Sequence, residues 1–133
     1  MRKPLVLLLT SISLFSLTGC VKGIKVVSDH TTGIMVVSNN KPYEIYYSCK
    51  KCDGTIIYKI DVNENYSTDL KANVNVDSGA FSMKITNEEG LELYNDSLTS
   101  SLEFVVPLAQ YGSYRLELGH DAFKGSYRLN WNK

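Results

Sequence analysis

The sequence predicts an all-β fold, an antiparallel β-sandwich over residues 33–133. Three observations carry that prediction. From about residue 33 apolar residues recur with a period of two in segment after segment, the spacing of half-buried strands. Short clusters of Gly, Asn, Asp and Ser separate the segments. No window shows the 3.6-residue period or the capping residues of a helix.

Taken in order, Gly33-Ile34-Met35-Val36-Val37 reads as a short buried run, closed by Ser38-Asn39-Asn40-Lys41-Pro42. Tyr43, Ile45 and Tyr47 alternate next, and Cys49-Lys50-Lys51-Cys52-Asp53-Gly54 reads as a turn. Ile56, Tyr58, Ile60 and Val62 share one face of the following strand. Leu70, Ala72, Val74 and Val76 alternate with Lys71, Asn73 and Asn75, the clearest half-buried strand in the chain. Asp77-Ser78-Gly79 turns the chain into Phe81, Met83 and Ile85, and Asn87-Glu88-Glu89-Gly90 turns it again into Leu91, Leu93 and Tyr94. Leu102, Phe104 and Val106 follow and stop at Pro107. Finally Gly112-Ser113-Tyr114-Arg115-Leu116 recurs as Gly125-Ser126-Tyr127-Arg128-Leu129. Two such strands, joined by residues 119–124, read as a closing hairpin.

The N-terminus has a different character. Arg2 and Lys3 precede a stretch from Pro4 to Leu17 that is almost wholly apolar or hydroxylated, and Leu17-Thr18-Gly19-Cys20 follows. These are the three parts of a secretory leader. The Leu-x-Gly-Cys ending resembles the lipobox of bacterial lipoproteins. That resemblance implies cleavage before Cys20, lipidation of its sulfur, and residence at the extracytoplasmic face of a membrane in the cell envelope. Residues 1–19 are then a signal peptide, and residues 20–32 a lipidated Cys and a tether of at most about 40 Å. Lys22 and Lys25 read as solubilising residues of that tether. The whole chain carries 14 basic and 14 acidic residues. Loss of Arg2 and Lys3 leaves a slightly acidic domain with no Lys/Arg stripe, which excludes nucleic acid as the expected partner.

The order Leu70 to Val76, Phe81-Ser82-Met83-Lys84-Ile85, Leu102-Glu103-Phe104-Val105-Val106, Tyr111-Gly112-Ser113-Tyr114 and Lys124-Gly125-Ser126-Tyr127 has a counterpart in a known family. Over roughly residues 54–131 the chain is similar to the small jelly-roll-like sandwiches of the pre-peptidase C-terminal type, a fold also found in bacterial lipoproteins. Some relatives bind calcium or polysaccharide, but no binding motif of theirs matches residue by residue. The resemblance implies a fold and little more.

Cys49 and Cys52 form the only motif with chemical content, and three readings stay open. They can be a disulfide stapling a hairpin, free thiols engaged in exchange, or half of a metal site. Strand pattern on both sides and an oxidising compartment favour the staple. His120-Asp121 falls in the expected hairpin turn, and Ser28-Asp29-His30 in the tether, so neither reads as a catalytic constellation. Asp53, Asp61, Asp69, Asp77, Glu88 and Glu89 lie near turns without a calcium-loop spacing. Most tyrosines suit strand-edge packing. Tyr46 is the candidate binding aromatic, because it points opposite to Tyr43, Ile45 and Tyr47. The reading is a non-catalytic binding or assembly module without cofactor, held at the membrane through Cys20, for an envelope protein or glycan. A redox or metal-handling lipoprotein using Cys49 and Cys52 is the alternative. The first reading expects an exposed aromatic or apolar patch on one sheet.

Overall fold

The computed structural model describes residues 20–132. The expected leader and the side chain of Cys20 lie outside the described residues. Eight strands are formed: β1 (Cys20–Val21), β2 (Ile24–Ile34), β3 (Val37–Ser38), β4 (Glu44–Val62), β5 (Asp69–Asn87), β6 (Glu92–Leu98), β7 (Leu102–Pro107) and β8 (Gly112–Asn130). All pair antiparallel in the order β1-β2-β4-β8-β5-β6, with β3 added to β4 and β7 added to β5.

The architecture is an antiparallel β-sandwich made by bending long strands. β4, β5 and β8 are each 19 residues long. One layer holds β3, residues 44–49 of β4, 125–130 of β8, 69–76 of β5, and β7. The other holds β2, residues 54–62 of β4, 112–120 of β8, 80–87 of β5, and β6. The register breaks between Cys49 and Cys52 and between Cys52 and Gly54 on β4, and between Val76, Ser78 and Ala80 on β5. Bulges of this kind bend a strand and sharpen its twist, so three neighbouring strands turn one corner together. Gly54 (φ 109°) and Gly79 (φ 75°) supply backbone that side chains resist. A Cβ at Gly54 would collide with the His30 carbonyl oxygen, and one at Gly79 with that of Ala122.

Three expected turns are therefore corners. Cys49 to Gly54, Asp77 to Gly79, and residues 119–124 lie inside continuous strands. The closing hairpin is one strand, β8, and the two copies of Gly-Ser-Tyr-Arg-Leu are its two halves, one in each layer. The physical reason is shared chemistry: a bulge and a tight turn both recruit Gly and small polar residues. Residues 20–32 are not a tether either. They form β1 and most of β2, which pairs with β4 from Ile24 to Ile34. The expected buried run Gly33–Val37 is exposed, because it rounds the same corner on the outer edge of the sheet.

The core fills the space between the layers, and the alternation read from the sequence marks it well. Ile45, Tyr47, Ile56, Tyr58, Ile60, Leu70, Ala72, Val74, Phe81, Met83, Ile85, Leu116, Leu118 and Leu129 are all buried. Next to the corner Phe81 and Tyr127 meet at a tilt across the layers with ring centroids 4.5 Å apart, and Tyr47 stacks on Tyr127 at 5.3 Å. Trp131 closes the far end, fully buried, its Nε1 donating to the Asp61 carbonyl at 3.0 Å. Tyr43 meets Trp131 edge-on and stacks on Tyr66. The Lys22-Gly23 link is pinned to that same end: Tyr43 N–H donates to the Lys22 carbonyl and Asp61 N–H to that of Gly23. Cys20 thus sits at the end of the sandwich opposite the corner.

Candidate functional site

The period of two that buries one face of residues 44–49, 69–76 and 125–130 turns the alternate side chains outward. On β4 these are Glu44, Tyr46 and Ser48; on β8, Ser126, Arg128 and Asn130; on β5, Lys71, Asn73 and Asn75. The register sets them in rows. Tyr46 is opposite Arg128, Arg128 opposite Asn73, and Asn73 opposite Glu103 of β7. Four polar or aromatic side chains thus cross four strands in one line. Arg128 Nη1 donates to Glu44 Oε2 at 2.7 Å, and its guanidinium lies 4.8 Å from the centroid of the Tyr46 ring. Asn73 Nδ2 donates to Glu103 Oε2 at 3.5 Å, and Asn75 Nδ2 to Ser126 Oγ at 3.4 Å. A groove of about 430 Å³ lies over the β8, β5 and β7 part of this row, lined by Lys71, Asn73, Glu103, Val105, Arg128 and Asn130 among others; Tyr46 and Glu44 lie beyond it on β4.

Arg128 is the organising residue. Its planar fork engages the Glu44 carboxylate, while its face covers one side of the half-buried Tyr46. The pair is partly solvated, so its contribution to stability is small, of the order of 0–1 kcal/mol. Its contribution to shape is larger, since it fixes the groove residue Arg128 against Glu44 and Tyr46. Tyr46 points out of the core, opposite to Tyr43, Ile45 and Tyr47, which are buried.

Cys49 and Cys52 are joined in a disulfide and are buried, at the corner of β4 rather than in a hairpin turn. Gly33 leans over the bridge, leaving no room for a side chain above Cys52 Sγ, and the Tyr47 hydroxyl approaches that sulfur to 3.6 Å. The bridge fastens the bend of one strand and joins no two strands. Among the described residues no three His, Cys, Asp or Glu side chains gather at metal-ligating distance.

His120 departs most from expectation. It does not sit in a solvated turn. It is buried on the inner face of β8, with Nδ1 3.0 Å from the Gly54 carbonyl oxygen and Nε2 3.0 Å from the Tyr127 hydroxyl. A carbonyl only accepts, so Nδ1 carries the hydrogen and Nε2 accepts from Tyr127. Burial lowers the imidazole below its usual range and, by the same cause, pushes the Tyr127 phenol far up. His120 is thus a neutral core residue. Its neighbour Asp121 is exposed, and so is His30 on β2. Asp29 bonds Thr31 and not His30. Three of the other acids serve the scaffold: Asp53 accepts from Ala122 N–H, Asp61 from the Ser113 hydroxyl, and Glu88 from Ser113 N–H.

The sequence reading names Tyr46 alone, without the neighbours the structure sets beside it. The parity that buries Tyr127 also turns Arg128 outward, and that much was available locally. The pairing of Arg128 with Tyr46 and Asn73 depends on register between residues far apart in the chain.

No protein-family model matches the chain, and no curated protein matches it. Solved structures similar to it include a mutant of the family 29 carbohydrate binding module CBM29-2 complexed with mannohexaose, at 10% identity and a TM-score of 0.43, covering 82% of this chain and 79% of that chain. Another CBM29-2 mutant, complexed with cellulohexaose, has 9% identity and a TM-score of 0.42, covering 82% of this chain and 78% of that chain. A CBM4 structure has 7% identity and a TM-score of 0.38, covering 83% of this chain and 76% of that chain.

Proposed function

We propose that the protein is a lipid-anchored, extracytoplasmic, non-catalytic binding module that holds a glycan along the groove of its outer face. The observation that carries this reading is the row Tyr46, Arg128, Asn73 and Glu103, with Glu44 behind it. Sugars present hydroxyl pairs that both donate and accept. Planar amide, carboxylate and guanidinium groups answer them in pairs, and a flat strand surface sets such groups at regular intervals along an extended chain. Because Arg128 and Asn73 are already bonded to neighbours, little ordering remains to be done on binding. The carboxylates of this outer face, Glu44 and Glu103, are each held by a donor, an arrangement suited to recognition rather than to acid–base work.

Lipidation at Cys20 rests on the Leu17-Thr18-Gly19-Cys20 sequence. The fold supplies a consequence: with Cys20 inside β1, the domain follows its anchor without slack. Fatty-acid labelling of cells expressing the full chain tests the anchor, with label expected on the native chain and absent from Cys20→Ser. Calorimetric titration with soluble neutral and amino-sugar oligosaccharides tests the site. At least one class is expected to bind, and Arg128→Ala and Asn73→Ala each to weaken binding tenfold or more, about 1.4 kcal/mol. Equal binding by the native chain and both variants would remove the groove from the account.

A further inference from the structure

Six of the large apolar side chains exposed to solvent lie on a single edge: Val26, Val27, Ile34, Met35, Val36 and Val37, all on β2, β3 and their link. The four consecutive ones are the most concentrated, with 58, 66, 44 and 53% of Ile34, Met35, Val36 and Val37 exposed. A run of this kind on a domain with a complete core has no packing reason to be apolar.

Its surroundings indicate what it meets. Ile34 pairs with Lys51, and Lys50 follows the same bend, so two exposed lysines flank the run. Neither is bonded to a carboxylate in an ion pair among the described residues. The nearest acid along β4, Asp53, is engaged by Ala122 N–H. Asp77 and Asp121 lie further along the corner, on β5 and β8. Pairing with another strand is disfavoured at the middle of this edge, where the Asp29 carboxylate already takes the Thr31 N–H. Exposed apolar side chains at a bend, with lysines beside them that make no ion pair among the described residues, suit a bilayer whose headgroups are anionic, where side chains enter the acyl boundary and ammonium groups stay among the phosphates.

We propose that the β2–β3 edge is a lipid-facing surface, with Ile34–Val37 inserted and Lys50 and Lys51 at the headgroups of an anionic bilayer. This contact is independent of lipidation. β2 is 11 residues long, so the inserted bend lies about 35 Å from the Cys20 end of the same edge. A domain holding a membrane at both ends of one edge lies along the bilayer.

The test is flotation with phosphatidylcholine vesicles, with and without phosphatidylglycerol. A chain beginning at Val21 keeps every core residue, from Ile24 to Trp131, and lacks Cys20, so any binding is owed to the edge alone. The native domain is expected to float with the anionic vesicles at low salt and to be released at high salt. Met35→Asp is expected to abolish flotation. Met35 has φ 53°, a conformation that Asp adopts more readily, so the fold tolerates the change. Val36→Asp gives a second, independent reading. Lys50→Gln with Lys51→Gln is expected to weaken binding roughly 30-fold, at about 1 kcal/mol for each charge. A domain that stays free of anionic vesicles overturns the proposal. So does equal flotation of the Asp variants, or a native dimer dissolved by Met35→Asp that ignores vesicles.

Discussion

Acidification should loosen this fold through His120. The ring is 6% exposed and surrounded by Tyr47, Phe81, Phe123 and Tyr127, with centroids between 5.1 and 6.0 Å away. Protonation would place a charge among these rings and turn Nε2 from acceptor to donor, forcing the Tyr127 hydroxyl to accept where it now donates. Burial lowers the folded-state value below 6.5, the more weakly acting Gly54 carbonyl, Asp29 and Asp53 opposing it. In the unfolded chain the imidazole titrates near its ordinary value of about 6.5. Below about pH 6.5 the unfolded state therefore binds a proton that the folded state refuses, and stability falls as pH falls. The slope approaches 1.4 kcal/mol per pH unit until the folded-state value is reached. Above about pH 6.5 this contribution is fully present. The assay is urea unfolding at steps from pH 8 to pH 5, compared with His120→Gln. Glutamine can donate to Gly54 and accept from Tyr127 without titrating, so the difference between the two curves isolates the imidazole from the background of surface carboxylates. Parallel curves for the two proteins across this window would refute the assignment of His120 as a neutral core residue.

Two further outcomes follow from the corner. The Cys49–Cys52 bridge has a sequence separation of three; closing so short a loop restrains the unfolded chain by about 2 kcal/mol. Reductant should lower the urea midpoint accordingly, while binding at the proposed glycan groove, which the bridge does not line, stays unchanged. Gly54→Ala places a Cβ at φ 109° against the His30 carbonyl. It should cost roughly 1–3 kcal/mol from backbone strain alone, read as a lowered midpoint and faster amide exchange in β2 near Thr31.

Local alternation carried the sequence reading as far as local information goes. Leu70, Ala72 and Val74, or Ile56, Tyr58 and Ile60, each announce an inner face, because a half-buried strand cannot hide its period. The same rule, carried past Leu118, would have put His120 inside: Tyr114, Leu116, Leu118 and His120 keep step on β8. The Gly119 and His120-Asp121 chemistry read instead as a turn. Edge strands defeat the rule from the other side. Ser28 to Thr32 on β2 are mostly exposed and show no period, so a paired strand passed for a tether. The run Gly33–Val37 has no parity at all, and a continuous apolar stretch reads equally as core or as surface.

The corner explains why these misreadings cluster. A sandwich of separate strands would need a turn between layers at each crossing, and the sequence does place turn-forming residues at 49–54, 77–79 and 119–124. Here those residues bend strands without interrupting them, and the pairing that slips at the bulges resumes with the same offset in the other layer. Tyr46 and Ile57 lie in different layers of β4, yet both are aligned against β8, at Arg128 and Glu117. A shift of the bulge by one residue would leave one layer in place and invert every side chain of the other. The disulfide and Gly54 sit where that shift would have to occur. The groove and the lipid-facing edge therefore depend on the same bend. The bulge that turns Arg128 and Asn73 outward together also brings Ile34–Val37 around the end of the sandwich, so the proposed glycan and bilayer contacts are set at a fixed angle by one feature of the backbone.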